Sequence, residues 1–218
     1  FSQCSFHANQ LLDVTMKDVV FEHCTFSELF FIETDLQDVS FRNCKVAKGV
    51  FMQGQGCNTH FTESELEKVI FVDRVLDECD FQATKLTNVA FMGDISMRGC
   101  NFEQATLDTV SYKGINLRGS NFQQTTMANV LFADADLESS NLSYTSYVRG
   151  QFGGARLFNA KLNGANLMES CFDQANIQRA DFSNANLYFS SFIDSTVGNT
   201  NFFGANLDNS MFEGWQPE

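Results

Sequence analysis

The side chains in this sequence with chemistry to offer are seven Cys, three His and 27 carboxylates set against 14 Lys and Arg. Cys4, Cys24 and Cys44 recur every twenty residues, and Cys79 and Cys100 fall on a similar interval. Such spacing stacks thiols in columns, which is the first requirement of a metal centre. Zinc needs four ligands in a tetrahedron, and no inward His or carboxylate joins either column. His7, His23 and His60 lie far apart at outward positions, so no spacing brings nucleophile, base and orienter within reach. There is no Gly-rich phosphate loop opening a helix, no HExxH and no GxSxG. We expect no catalytic residue, no metal and no cofactor, with the inward cysteines acting as small apolar fillers. Cys57 and Cys171 are expected to face outward, with nothing nearby to activate them.

Composition narrows the class further. The chain has 218 residues, enough for a sizeable core, and carries 24 Phe with a single Pro, which argues against disorder. A net charge of −13 disfavours direct binding to nucleic acid or to an anionic membrane surface. No apolar run approaches the roughly 20 residues of a membrane span. An odd number of cysteines without CxxC spacing favours reduced thiols and a cytoplasmic setting. The sequence opens on Phe1 rather than Met, which leaves secretion as the alternative.

The elements that position these residues follow from a period of five. Steps of five from Phe1 land on Phe6, Leu11, Met16 and Phe21, and so on to Phe91; one residue is inserted near Gly93-Asp94. The same step then runs from Met97 to Phe212. Twenty of the 24 Phe fall on these centres, and among the centres only Gly56 is not a sizeable apolar or aromatic residue. Two positions before each centre is a slot that holds Ala, Ser or Thr throughout Ala155–Ser210. A helix repeats every 3.6 residues and a strand every 2, so five fits neither. It fits a chain that turns a corner every five residues, with centre and slot pointing inward.

Units such as Ala165-Asn166-Leu167-Met168-Glu169 and Ala205-Asn206-Leu207-Asp208-Asn209 resemble the pentapeptide-repeat family, whose consensus is A(D/N)LXX. The resemblance spans essentially the whole chain. It implies an all-β fold, a right-handed quadrilateral parallel β-helix with four repeats per coil. As one domain over 1–218, it has registers at 1–91 and 97–212 and a short tail at 213–218. At twenty residues per coil the rod has roughly 11 coils and, with strands about 4.8 Å apart, a length of roughly 50 Å. Steps of twenty predict two Phe ladders on opposite walls, Phe1-Phe21-Phe41 and Phe31-Phe51-Phe71, with mainly aliphatic centres between them. Arg74 occupies an inward slot one coil beyond Gly56; it either fills the space Gly56 leaves or swings out where the wall is disturbed.

With a filled interior, function falls to the outer walls. On the wall of Phe31, Phe51 and Phe71 the outward positions read Leu12, Phe30, Ile32, Val50, Met52, Ile70, Val72, Ala90 and Met92. An apolar strip of this kind marks a contact surface. The same wall carries Asp13, Glu33, Asp73, Asp134, Asp173, Asp194 and Glu213 against a single base, Lys113. The open end at Phe1 exposes core rings and calls for more chain or a partner, while Trp215 could fold over Phe212 at the other end. The expected role is a non-catalytic solenoid that contacts a protein partner, or a second copy of itself, through the strip. The resemblance adds two alternatives. One is the acidic DNA-mimic rod of the Qnr and MfpA quinolone-resistance type, which binds a type II topoisomerase (gyrase or topoisomerase IV). The other is a module of a larger bacterial effector or scaffold.

Overall fold

The computed structural model describes residues 1–213. The chain is a parallel β-solenoid of about 10 turns with four walls per turn, and the described residues contain no helix. Trp215 lies outside the described residues, so its expected role as a lid is not addressed. No helix of the described residues is long and apolar enough to cross a membrane.

The strand and bridging residues of each wall pair in parallel with those one coil on, twenty positions away over most of the chain. The wall entered at Leu11 is built from β1 (Gln10–Leu12), β2 (Phe30–Ile32), β3 (Val50–Met52), β4 (Ile70–Val72) and β5 (Ala90–Met92). They pair in that order with Leu11, Phe31, Phe51, Phe71 and Phe91 in register. Past the Gly93-Asp94 insertion the offset becomes twenty-one, as in Asp80 opposite Asn101, and then returns to twenty. Two longer strands follow, β6 (Thr106–Ser111) and β7 (Thr126–Leu131), each running through a corner.

The corners explain the period. The residue two after each centre adopts a left-handed conformation, for example Asp134 (φ 59°) and Asn184 (φ 56°). In most later coils the slot N–H bonds back to the centre carbonyl three residues earlier, as Ala155 does to Phe152 at 3.0 Å. Together these make a type II β-turn. Left-handed geometry is costly for a side-chain-bearing residue. It is offset because the same residue's N–H reaches the next coil, Asp134 bonding to the Gly153 carbonyl at 2.9 Å. Asn or Asp just before the centre completes the corner. The carboxamide oxygen of Asn121 accepts the Gln123 N–H at 3.1 Å, while its Nδ2 donates to Asn101 at 3.1 Å in the coil before.

The interior is solid. Phe152 and Phe172 stack with ring centres 4.8 Å apart and planes within 2°, and Phe31 and Phe51 stack at 4.6 Å. The two ladders meet edge to face across the column, Phe51 against Phe61 at 6.1 Å and 90°. Both arrangements are favoured for aromatic pairs. The walls between are mainly aliphatic, as expected, although Phe6 and Phe26 add a short stack of their own at 4.9 Å.

Candidate functional site on the outer wall

The pairing that builds the Leu11 wall also arranges its outer surface. Phe30, Val50, Ile70 and Ala90 are directly paired and form one column; Leu12, Ile32, Met52, Val72 and Met92 form a second, two residues away on the same strands. Leu12, Phe30 and Met92 are 57%, 42% and 54% exposed, and the residues between them are half-buried by their neighbours in the stack. Beyond Met92 the columns continue as Ser111 and Lys113, so the strip ends at the insertion.

The carboxylates of this wall are not all equivalent. Asp13, Glu33, Asp134 and Asp194 occupy left-handed corner positions and are exposed. Asp73 accepts the Asp94 N–H at 2.9 Å and thereby anchors the inserted residue. Asp173 accepts the Ile193 N–H at 2.9 Å and the Ser191 hydroxyl, which makes it a bracket between coils. Glu213 is exposed at the last described position. The structure places all nine strip residues on one surface and spreads the acids along its margin, with two of the seven tied into the backbone.

The cysteines behave as small hydrogen-bond donors. Cys79 Sγ donates to the Gly56 carbonyl at 2.7 Å and Cys100 Sγ to that of Leu76 at 3.0 Å. Ser64 and Thr84 make the same contact from the same kind of slot, to Phe41 and Phe61. Burial pushes the Cys79 thiol up to about 12 and the Cys44 thiol up to about 11, so both remain protonated at neutral pH and are poor nucleophiles. Among the described residues no group of three His, Cys, Asp or Glu is placed to hold a metal.

Arg74 is fully buried. Its guanidinium lies over Gly56, where an added Cβ would stand 3.5 Å from Nη2. It donates to the carbonyls of Gln53 at 2.6 Å, Thr34 at 2.9 Å and Gln55 at 2.8 Å. The cause lies one coil earlier. Gly54 takes φ 83° with its Cα pressed so close to the Thr34 carbonyl that a Cβ would meet that oxygen at 2.7 Å. The Gln55 N–H is diverted to the Asp35 carboxylate at 2.7 Å, and the Thr34 carbonyl loses its ladder partner. Arg74 supplies the missing donor. Burial lowers its pKa to about 10, still a cation at neutral pH.

Sequence reasoning passed over one further site. Tyr147 is a centre on the wall entered at Phe6, where the other centres are Phe, Val, Leu and Met. Its phenol is too long for the column, and its hydroxyl emerges at the corner. There it donates to the Val130 carbonyl and accepts the Gln151 N–H at 3.1 Å. The equivalent bonds elsewhere are direct, as from Ala90 N–H to the Val69 carbonyl at 3.0 Å and from Cys171 N–H to that of Gly150 at 2.8 Å. The hydroxyl is wedged into the ladder between two coils. Gly150 is required beside it, because a Cβ would come within 2.9 Å of Tyr147 Cδ1 and 2.7 Å of the Phe152 ring. The only sequence signal was a Tyr centre followed by Gly in the slot.

A family model described as Pentapeptide repeats matches residues 113–146, 151–188 and 180–214 in eight copies. No curated protein matches in sequence. Similar solved structures include HetL, a pentapeptide-repeat protein involved in heterocyst differentiation regulation from the cyanobacterium Nostoc sp. strain PCC 7120 (15% identity, 100% of this chain and 93% of that one, TM-score 0.48). Full-length QnrB1, a plasmid-mediated fluoroquinolone resistance protein, is 15% identical over 94% of each chain with a TM-score of 0.47. A thylakoid-lumen pentapeptide-repeat protein of Arabidopsis thaliana is 24% identical over 51% of this chain and 69% of that one, with a TM-score of 0.22. Eight repeat copies thus match the pentapeptide-repeat family over residues 113–214, and the same five-residue coil continues back to the first turns.

Proposed function

We propose that this protein is a non-catalytic solenoid that binds a protein partner, or a second copy of itself, through the apolar strip of the Leu11 wall. The observation that carries the reading is the pair of outward apolar columns in register, one over five coils from Leu12 to Met92 and the other over four from Phe30 to Ala90, where water-facing positions of a half-buried sheet would ordinarily be polar. Five coils span only about 20–25 Å, and a stable contact buries about 800 Å² per partner. The partner must therefore spread beyond the strip onto the flanking corners, including the exposed acids Asp13 and Glu33. Buried, protonated thiols suit a reducing, cytoplasmic setting.

The test is a triple substitution, Ile32→Glu, Met52→Glu and Ile70→Glu, compared with the unaltered protein by light-scattering mass and by retention of a partner. Loss of assembly with the fold intact supports the reading; unchanged mass and unchanged retention contradict it. The net charge of −13 favours a second reading, an acidic rod that occupies the DNA site of a type II topoisomerase. That reading expects salt-sensitive inhibition of gyrase supercoiling, and no effect at micromolar protein removes it. The engagement of Asp73 and Asp173 in the backbone weighs towards the first.

A further inference from the structure

The opening that Tyr147 makes has a chemistry of its own, distinct from the strip. Between β7 and the following coil lies a groove of about 650 Å³. Its floor is Met127, Val130 and Tyr147, and its walls include Leu131 and Val148, which are 42% and 41% exposed. The coils are bridged on either side, Thr126 to Ser146 and Leu131 to Gln151, but not between. At corner after corner the left-handed residue donates its N–H to the next coil, as Gln124, Asp134, Tyr144 and Arg149 do. Asn129 makes no such bond to Val148. Its side chain turns to the coil before, Nδ2 on Asp108 at 3.2 Å, and its backbone N–H, at a residue that lines the groove, has no carbonyl partner in the next coil.

Charge defines what fits. Arg149 is the one charged residue lining the groove, in a chain with a large excess of acid. Its Nε holds Glu169 at 3.0 Å, while the side chain remains mostly exposed. A second, shallower groove of about 310 Å³ shares Asn129 and Leu131 with the first and is lined by no charged residue.

We propose that this groove binds an extended, acidic peptide segment. One main-chain carbonyl of the segment accepts the Asn129 N–H, an apolar side chain rests on Leu131 and Val148, and a neighbouring carboxylate meets Arg149. The three features sit on one corner, and each answers a different part of such a peptide: an unsatisfied donor, exposed aliphatic surface and the one local cation. The site stands independently of the strip.

The probe is the blocked pentapeptide acetyl-Val-Glu-Val-Glu-Val-amide, with the Val/Lys counterpart as control, titrated calorimetrically while amide exchange at Asn129 is followed. The proposal expects the Glu peptide to bind at least about tenfold tighter than the Lys peptide and to slow exchange at Asn129. Tyr147→Phe removes the wedge, allows Gln151 N–H to bond Val130 directly and abolishes binding. Arg149→Glu, at an exposed position, abolishes the preference without touching the core. The strip variant with Glu at positions 32, 52 and 70 binds the probe normally, so failure of one site is distinguishable from failure of the other. Equal binding of both peptides, no binding at roughly millimolar peptide, or binding with Asn129 exchange unchanged overturns the proposal.

Discussion

The two ends of the solenoid solve the same corner differently. Through the coils up to Gly54, no corner closes with a slot-to-centre hydrogen bond, and three-residue strands fill the walls. From Ala155 to Ser190 every corner closes, and the walls shrink to single bridging residues. The slots differ accordingly: chiefly Cys, Val, Leu and Thr in the first region, Ala and Ser in the second. In the coils between, the outcome splits by wall. Ser64, Thr84, Ala105 and Thr125 close their turns, whereas Val69 and Val89 do not, and Val110 and Val130 lie within β6 and β7. Branching alone does not decide this, since Ile115 closes its turn at 3.0 Å. The four valines stack in one column, so each opened corner holds open the next. A small slot lets the chain fold back tightly; a stacked column of Val widens the edge. The run of Val ends at Gly150, whose N–H bonds the Ser170 hydroxyl at 2.8 Å rather than the Tyr147 carbonyl, and that still-open corner is where Tyr147 and its groove lie; the column closes at Ser170.

Changes to the shared interior should affect both regions alike and most strongly. Phe51→Ala in the open-cornered region and Phe172→Ala in the closed one should each cost about 3–5 kcal/mol in denaturant unfolding, because both rings are buried in continuous stacks. A much smaller cost at Phe51 would show that the first coils are loosely packed. Next comes Arg74→Met, which leaves the carbonyls of Thr34 and Gln53 without their donor and that of Gln55 with the Leu36 N–H alone. About 2–3 kcal/mol of lost stability is expected, with fast amide exchange confined to residues around 53–56. Val89→Ala should cost about 1 kcal/mol and let its N–H bond to the Leu86 carbonyl, seen as slowed exchange at that amide. An unaltered corner would break the link between slot and turn.

The smallest effect concerns acid. Burial works against the Asp77 carboxylate, but the Arg98 guanidinium at 2.6 Å, the Ser96 hydroxyl and the Arg98 N–H outweigh it and hold its pKa below 3.8. A group lowered in this way adds stability above its unfolded pKa that is lost as pH falls through the folded one. Asp77→Asn should therefore flatten the acid limb of the stability profile below about pH 4 while changing neutral stability by about 1 kcal/mol or less.

Much of this was legible in the sequence because inward residues were marked by size. A Phe or Leu every five positions fixes wall, register and coil together, and the extra residue at Gly93-Asp94 showed as a shift in phase. The strip was legible for the same reason, since outward Val, Ile and Met break an otherwise polar pattern. Arg74 was visible as an anomaly, but its partners are carbonyls freed by the turn at Gly54, and main-chain acceptors leave no trace in side-chain spacing. Tyr147 satisfied the rule for a centre, and only the length of its phenol sets it apart from Met127, which holds the same position one coil earlier. The acids of the wall looked uniform, yet Asp73 and Asp173 serve the backbone and Asp13 does not.

Coils stacked about twenty residues apart around a filled column carry every surface described above, and residue-resolved amide exchange tests that stacking most directly. The N–H groups of Phe41, Phe61, Phe81, Phe102 and Phe122 bond to the next coil at 2.6–2.7 Å and should be the slowest set, recurring once per coil. The Asn129 N–H should exchange fast among them. Protection recurring every three or four residues, or absent from these five Phe, would contradict the stacked column and every surface assigned on it.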